Sequence, residues 1–168
     1  QRAANLITSL LGGVLAAEHL GQLLGGKGNV ILLRYAVGSA STEEREAGFL
    51  DTLKKKFPDL KLISSDQYAG ATRESSYQVS QNLLNRFGRE VNGIFCPNEN
   101  ATIGMTKALR DIGRAGGKGK MIGFDAGTQS VADLKNGDVQ GLVLQNPGLL
   151  GDNGVMTLIE DLQGQEGE

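Results

Sequence analysis

The chain has 168 residues, 39% of them hydrophobic, and a formal net charge of −2 from 17 basic and 19 acidic side chains. This length suits one domain with its own core, and the near-neutral charge gives no reason to expect nucleic acid or an anionic membrane as a partner. The single cysteine, Cys96, excludes a disulfide within the chain and argues against a thiolate zinc site.

The first predicted element is a helix over residues 3–24. Its apolar part is interrupted by Glu18, His19, Gln22 and three glycines, so we expect no continuous apolar run near the ~20 residues of a bilayer span. The segment also lacks the basic start and small-residue cleavage site of a signal peptide. If the protein is exported, we expect its signal to lie outside this sequence.

Five units follow, each a short apolar run and then a longer stretch with helical spacing. The predicted strands cover residues 29–35, 60–65, 93–96, 120–124 and 139–145. The predicted helices cover residues 42–57, 72–87, 98–112, 128–136 and 147–162. Thr42 is the expected N-cap of the first of these helices, and Pro147 lies in the first turn of the last.

This alternation predicts an α/β fold, a three-layer, doubly wound parallel sheet of about five strands with helices on both faces. The strands are largely apolar, as strands covered on both faces should be. We expect residues 1–168 to form a single lobe, with the N-terminal helix in 1–24, five βα units in 25–163 and a frayed tail in 164–168.

Hydrogen-bonding side chains follow every predicted strand. The carboxyl ends of parallel strands meet at one edge of the sheet, where open α/β sheets bind ligands. The candidate binding residues are Arg45, Tyr68, Asn98, Asp125 and Gln145. Carboxylate, carboxamide and guanidinium groups together match both the donor and the acceptor of a hydroxyl, so the set suits a polyhydroxylated ligand. The structural alternative is that they cap helices and fill turns, as Asn98 and Asp125 are placed to do.

Patterns of catalytic residues are poor. His19 lies far in sequence from any suitable nucleophile, and Cys96 ends an apolar strand as a buried small hydrophobe would. The spacing from Gly21 to Lys27 matches a phosphate loop, but Gly28 stands where a magnesium-binding Ser or Thr belongs, and the segment joins a helix to a strand. We therefore expect no enzyme activity, no cofactor and no metal.

Several segments, in this order along the chain, resemble one known family. They are Gly-Gly with Leu-Ala-Ala-Glu-His-Leu in 12–20, Gly-Ser-Ala-Ser-Thr-Glu-Glu-Arg-Glu-Ala-Gly-Phe in 38–49, Gly-Ile-Phe-Cys-Pro-Asn-Glu-Asn-Ala-Thr-Ile-Gly in 93–104, Met-Ile-Gly-Phe-Asp-Ala in 121–126 and Val-Leu-Gln-Asn-Pro in 143–147. Together they resemble the second, C-terminal lobe of ribose-type periplasmic sugar-binding proteins of ABC transporters. The same lobe occurs as the effector domain of lactose-repressor-type transcription regulators.

The resemblance implies a clamp of two lobes that closes on a sugar and does no chemistry. By motif, Asn98 would hydrogen-bond the sugar hydroxyls, while Asp125 and Gln145 would accept from them. Arg45 would supply a guanidinium, and Tyr68 or Ala71 would form a wall of the site. The implied partners are a monosaccharide, a complementary N-terminal lobe and, through the full receptor, a membrane permease. The natural parent would be periplasmic, and the isolated lobe a monomer or a homodimer.

The chain also departs from that family. The resemblance covers only the second lobe, residues 8–10 read Thr-Ser-Leu where the family usually has Asp-Asn, and Gly148 and residues 152–154 stand where bulkier or aromatic side chains are expected. These changes suggest an excised or redesigned lobe. Three alternatives remain open: a regulator's effector domain, a flavodoxin-like enzyme or signalling domain, and a scaffold without retained activity. A helix-turn-helix or basic segment would favour the first alternative, and an acidic cluster after the first strand or a phosphate loop would favour the second. The sequence shows none of these features.

The same ends of the chain carry an expected apolar patch. Its members are Leu6, Ile7, Leu10, Leu11, Leu149 and Leu150. Six aliphatic side chains near one edge would be unusual on a monomer. We expect either that the first helix folds onto the sheet edge or that two copies associate through the patch.

Overall fold

The computed structural model describes residues 2–145 and, for the backbone, residues 155–159. The helices are α1 (Arg2–Leu23), α2 (Ala40–Lys56), α3 (Arg73–Phe87), α4 (Glu99–Asp111) and α5 (Thr128–Lys135). The strands are β1 (Gly28–Leu32), β2 (Leu60–Ser64), β3 (Gly93–Phe95), β4 (Lys120–Phe124), β5 (Gly141–Gln145) and β6 (Val155–Ile159).

The strands form one sheet in the order β2-β1-β3-β4-β5-β6. The first five pair in parallel, and β6 pairs antiparallel with β5. The chain leaves β1 toward β2 and returns to place β3 on the other side of β1, which makes β1 and β3 a topological switch point. The predicted α/β fold with a parallel five-stranded core is therefore confirmed, with one further strand at its edge.

Two hydrophobic clusters cover the two faces of the sheet. On one face, α1 and α2 bury residues such as Leu20 and Phe49 against the sheet, and the rings of Phe49 and Phe95 stack with centroids 4.7 Å apart. On the other face, α3, α4 and α5 contribute Leu83, Met105 and others. Helices on both faces explain why the parallel strands are apolar with little alternation.

Helices α1 and α2 cross with their backbones almost in contact. A Cβ atom on Gly13 would lie 1.9 Å from the carbonyl oxygen of Arg45, and one on Gly48 would lie 2.2 Å from that of Leu10. Only glycine allows such an approach. The crossing fixes the part of α2 that carries Arg45.

The predicted closing helix over residues 147–162 is wrong for residues 155–159, which form β6. Their register runs from Gly141 opposite Ile159 to Gln145 opposite Val155. Val155, Thr157 and Ile159 are β-branched and alternate along the chain, which favours a strand over a helix. Pro147, at the expected start of that helix, lies outside the described residues.

Thr42 is not the N-cap of α2 as predicted. The helix begins at Ala40 after the N-cap Ser39, and the Thr42 hydroxyl donates to the Ser39 carbonyl oxygen at 3.1 Å. The N-cap of α4 is Asn98, so its predicted capping role is confirmed.

By length and composition α1 does qualify as a bilayer span, with a mean hydropathy of 1.2, contrary to the expectation from its interruptions. Core helices of globular proteins meet the same criteria, and one side of α1 is buried against α2 and the sheet. The helix thus packs against α2 and the sheet, yet the side chains of Ile7, Leu10 and Leu11 remain 60%, 36% and 37% exposed. The other half of the expected patch, Leu149 and Leu150, lies outside the described residues.

Candidate functional site

Arg45 lies at the centre of the polar groups at the carboxyl edge of the sheet. It sits in the second turn of α2, and its side chain extends across the ends of β3, β4 and β5. Its Nη1 donates to the Pro97 carbonyl at 2.9 Å and its Nη2 to Oε1 of Gln145 at 3.0 Å. The guanidinium carbon stands 3.8 Å from the centroid of the Phe124 ring, in cation–π geometry. Burial lowers the pKa of Arg45, and the charge of Asp125 partly offsets that effect.

Gln145, the last residue of β5, connects this edge with the start of the chain. Its Oε1 also accepts from the Ser9 hydroxyl at 3.3 Å, and its Nε2 donates to the Asn5 carbonyl at 3.4 Å. Ser9 belongs to the unusual Thr-Ser-Leu at residues 8–10 but is not among the candidate binding residues predicted from the sequence. The available signal was this departure from the family pattern, and in the structure Ser9 is fully buried.

Asp125 follows β4 directly and is half-buried. Its φ of 69° is the only positive value among the described residues other than glycine, and such backbone conformations concentrate at functional sites. Burial raises the pKa of the Asp125 carboxyl, Arg45 lowers it, and Glu99 raises it. Asp125 and Arg45 are thus close enough to influence each other without forming a direct ion pair.

Glu99 is a second carboxylate at this edge and is not among the candidate binding residues predicted from the sequence. It opens α4, and its Oε1 lies only 1.9 Å from where a Cβ atom on Gly127 would be. Because Gly127 precedes α5, the glycine is what allows the Glu99 carboxylate to sit between the two helix starts. Its position directly after Asn98 was the available signal.

In the Asn98 side chain, the carbonyl oxygen is hydrogen-bonded and, among the described residues, the NH₂ group is free. Its Oδ1 accepts from the Ala101 amide at 3.1 Å as an N-cap. Its Nδ2 makes no hydrogen bond to any described residue and remains available as a donor. The structural and functional interpretations of Asn98 are therefore compatible.

Tyr68 is not brought to this group of residues. It follows β2, pairs with Arg34 in a parallel bridge and is 41% exposed. Four strand spacings of about 4.8 Å separate β2 from β5, so Tyr68 and Gln145 lie at opposite ends of the edge. The loop that carries Tyr68 is tied to α2 instead through Arg34, whose Nε donates to the Ser65 carbonyl at 2.5 Å and whose Nη1 donates to Glu46 at 3.1 Å.

The residues considered for catalysis lie away from the edge or are buried. His19 packs against Gly141, at the amino end of β5, four residues before Gln145. Cys96 is fully buried, and burial raises the pKa of its thiol well above the ordinary value, so the thiol is unreactive. Within residues 2–145 and 155–159, no group of three or more His, Cys, Asp or Glu side chains could hold a metal ion.

The geometry provides both kinds of hydrogen-bonding partner on one surface. Asp125 and Glu99 offer acceptors, Asn98 offers a free donor, and Arg45 and Gln145 offer both an oriented guanidinium and an amide. An aromatic ring, Phe124, supports the arginine from below. Such a surface suits a small molecule with several hydroxyl groups, each of which both donates and accepts.

Comparison with known proteins gives consistent results. The sequence model of the periplasmic binding protein domain matches residues 5–166. Among curated proteins, the ribose import binding protein RbsB of Haemophilus influenzae is 32% identical over 161 residues, 95% of this chain and 52% of its own. The xylitol-binding protein of Mycolicibacterium smegmatis is 29% identical over 134 residues, 80% of this chain and 37% of its own.

Solved structures show the same likeness. An ABC transporter periplasmic solute binding protein from Actinobacillus succinogenes with bound D-allose superposes with a TM-score of 0.81 at 26% identity, over 95% of this chain and 61% of its own. A carbohydrate transporter solute binding protein from Agrobacterium radiobacter in complex with D-arabinose gives 0.75 at 30% identity, over 87% and 50%. The chain spans about half the length of the curated relatives it matches.

Proposed function

Since the chain belongs to the periplasmic binding protein domain family, we propose that it is one lobe of a receptor for a monosaccharide or related polyol and that it catalyses no reaction. The observation that carries this proposal is the convergence of Arg45, Asn98, Asp125 and Gln145 at the carboxyl edge of a parallel sheet. Relatives over 80% or more of the chain are named for ribose and xylitol.

In this proposal Asp125 and Arg45 carry most of the recognition. The Asp125 carboxylate accepts from ligand hydroxyls, and Arg45, held by Pro97 and Gln145, donates the N–H groups those two residues leave free. Asn98 donates through Nδ2 while Oδ1 keeps its capping role. Tyr68 has at most a peripheral role, because it lies at the far end of the edge.

We expect the lobe alone to bind weakly. Small-ligand sites generally enclose ~70–90% of the ligand surface, and a single open edge leaves one face of a sugar in water. Each hydrogen bond then competes with solvent for a net gain of only about 0.5–1.5 kcal/mol. Two or three such bonds barely offset the entropy of association.

The remaining assignments follow from the relatives. The parent would be a periplasmic solute-binding protein of an ABC transporter, in which a complementary N-terminal lobe covers the open face and the assembled receptor meets a permease. The lobe by itself would be a monomer or a homodimer without nucleic-acid contacts. Light scattering over a concentration series distinguishes these two states, and changing Leu10 and Leu11 together to Glu tests whether the exposed side of α1 contributes.

The test of binding is an NMR titration of the chain with D-ribose, D-allose, D-arabinose and xylitol up to about 100 mM, well above a dissociation constant of ~1 mM. We expect shifts confined to the Arg45 side chain, the Asn98 and Gln145 amides and the Asp125 backbone. Asp125→Ala should remove them. Asp66→Ala, which deletes an exposed carboxylate after β2, is the matched control and should not.

One outcome would contradict the proposed site, and another would contradict only the expected weak binding. Absence of any localised shift for all four compounds would refute the site. A micromolar dissociation constant that Asp125→Ala abolishes would instead confirm the site and refute the expectation that one lobe binds weakly.

A further inference from the structure

A pocket lies at the opposite edge of the sheet from the proposed sugar site. It forms where α3 and α4 end, before their chains enter β3 and β4, and has a volume of about 430 Å³. Three arginines, Arg86, Arg89 and Arg114, line it. Its volume falls within the ~300–1,000 Å³ of small-molecule sites.

None of these three guanidinium groups has a carboxylate partner among residues 2–145. Other arginines of the chain do, since Arg34 pairs with Glu46 at 3.1 Å and Arg110 pairs with Asp133 and with Asp138. The pocket therefore gathers three arginines without ion pairs to the described residues, whereas Arg34 and Arg110 are paired with carboxylates. This local positive charge contrasts with the net charge of −2 of the whole chain. The lining contains one carboxylate, Glu90, too few to balance three arginines.

Arg114 keeps most of its hydrogen-bonding capacity unused. A guanidinium has five N–H donors, and the Nη2 of Arg114 donates to the Val91 carbonyl at 2.7 Å. Its Nε is buried with no acceptor in the described structure, whereas buried donors are normally satisfied. The bond to Val91 fixes the guanidinium at the pocket wall, so part of the cost of ordering it is already met in the free protein.

Stabilisation of helix ends accounts for only one of the three cations. Arg86 lies in the last turn of α3, where a positive charge offsets the helix dipole, and its guanidinium also stacks over Phe87 at 4.9 Å. Arg89 and Arg114 lie beyond the ends of α3 and α4. The helix dipole therefore does not explain why they share a pocket.

The pocket also has an apolar side. Leu84 is buried beneath it, and Ile112, 46% exposed, is one of the more exposed large hydrophobic side chains described. From these features we propose that the pocket binds a small organic phosphate, with its dianionic group on Arg89 and Arg114 and its uncharged organic part on Leu84 and Ile112. Arginine suits phosphate because its planar fork can donate two parallel hydrogen bonds to one oxyanion.

Phenyl phosphate is the probe that tests both halves of the pocket. Calorimetry and NMR titration of the full chain should show saturable binding of phenyl phosphate, weaker binding of inorganic phosphate and none of phenol. Citrate at matched ionic strength distinguishes a phosphate site from a general oxyanion site, and should bind less well. Shifts should appear at Arg89, Ile112 and Arg114, and not at Asp125.

Arg89→Gln should weaken phenyl phosphate binding about tenfold or more, since hydrogen bonds between charged groups are among the strongest in proteins. Arg114→Gln should weaken binding to a similar extent. If the loss of its hydrogen bond to Val91 prevents folding, the Arg89→Gln variant, which changes an exposed side chain, tests the proposal by itself. Arg73→Gln removes an exposed cation from the other end of α3 and is the matched control. No saturable binding, or an equal loss with Arg73→Gln, would overturn the proposal. Neither result bears on the sugar site at the opposite edge.

Discussion

Arg45 and Arg110 are both partly buried arginines near carboxylates, but their surroundings differ. Arg110 touches two carboxylates, with its Nε 2.7 Å from Asp138 and its Nη2 against the buried Asp133. Burial lowers the pKa of Arg110, yet the hydrogen bonds and charges of Asp138 and Asp133 raise it overall. For Arg45 burial is the larger effect, and Asp125 offsets it only in part.

The ion pairs of Arg110 stabilise the fold, whereas the charges of Arg45 and Asp125 remain available to bind a ligand. The Arg110 cluster joins the end of α4 to α5 and is satisfied internally. Arg45 is held by a carbonyl and a carboxamide, which orient it without neutralising it, and Asp125 stands near but not in contact. Groups that keep unused hydrogen-bonding capacity in a partly dry place are suited to binding a polar ligand.

The largest expected effect comes from disturbing what orients Arg45. Gly13→Ala should cost about 3 kcal/mol of stability, near the upper end for overpacking, because its Cβ atom would meet the α2 backbone at Arg45. Urea denaturation measures the loss of stability. The NMR shifts of the Arg45 side chain should change in this variant, while those of Arg110 stay unchanged.

Gly21→Ala, in the same helix, is the control for that variant. Its Cβ atom would meet the ring of the partly buried Phe57 at 2.5 Å, just beyond the opposite end of α2 from Arg45, rather than backbone. We expect a clearly smaller loss of stability. If the Arg45 NMR shifts change as much in the control as in Gly13→Ala, the α1–α2 crossing is not what positions Arg45.

The two arginines should also differ in how much each contributes to stability. Arg110→Met should cost about 2 kcal/mol, because it leaves the buried Asp133 without its cation while Arg110 is itself exposed enough to be partly screened. Arg45→Met should cost less than about 1 kcal/mol, since methionine can still cover Phe124, the hydrogen bonds lost go to neutral groups, and Asp125 is not in direct contact with Arg45. Denaturation at neutral pH gives both values, and a reversed order would contradict the assigned roles.

Much of this picture could be predicted from the sequence. Apolar runs and helical spacing located α1 to α5 and β1 to β5 with boundaries shifted by a few residues, because those elements bury a face and their pattern records it. Residues directly after strands, such as Asp125 and Gln145, were found for the same reason: strand ends in a parallel sheet share one edge.

What escaped prediction depends on contacts distant in sequence. Ser9 and Glu99 reach the edge only because α1 crosses α2 at Gly13 and because Gly127 leaves room for a carboxylate. Residues 155–159 were expected to be helical since their surroundings resembled a βα unit, whereas pairing with β5 decided otherwise. Tyr68 follows a strand as predicted, but the strand order places β2 far from β5, and no local pattern reveals that order.

The smallest predicted effect tests whether Asp125 is kept charged at a cost to the fold. Its folded-state pKa is raised, chiefly by burial, so between the unfolded value of 3.8 and the folded value the native chain binds more protons than the unfolded chain. The stability of the wild type therefore falls as pH rises through that window and stays at its reduced level at neutral pH.

Asp125→Asn cannot titrate and keeps the side-chain shape and the tolerance for positive φ. It should be more stable than the wild type by up to about 1 kcal/mol at neutral pH, and the difference should shrink as pH falls toward 3.8. Urea denaturation of both proteins across this range measures it. A difference that widens on acidification would mean that Arg45 outweighs burial and that the carboxylate stabilises the fold. The contrast with Arg110 would then disappear.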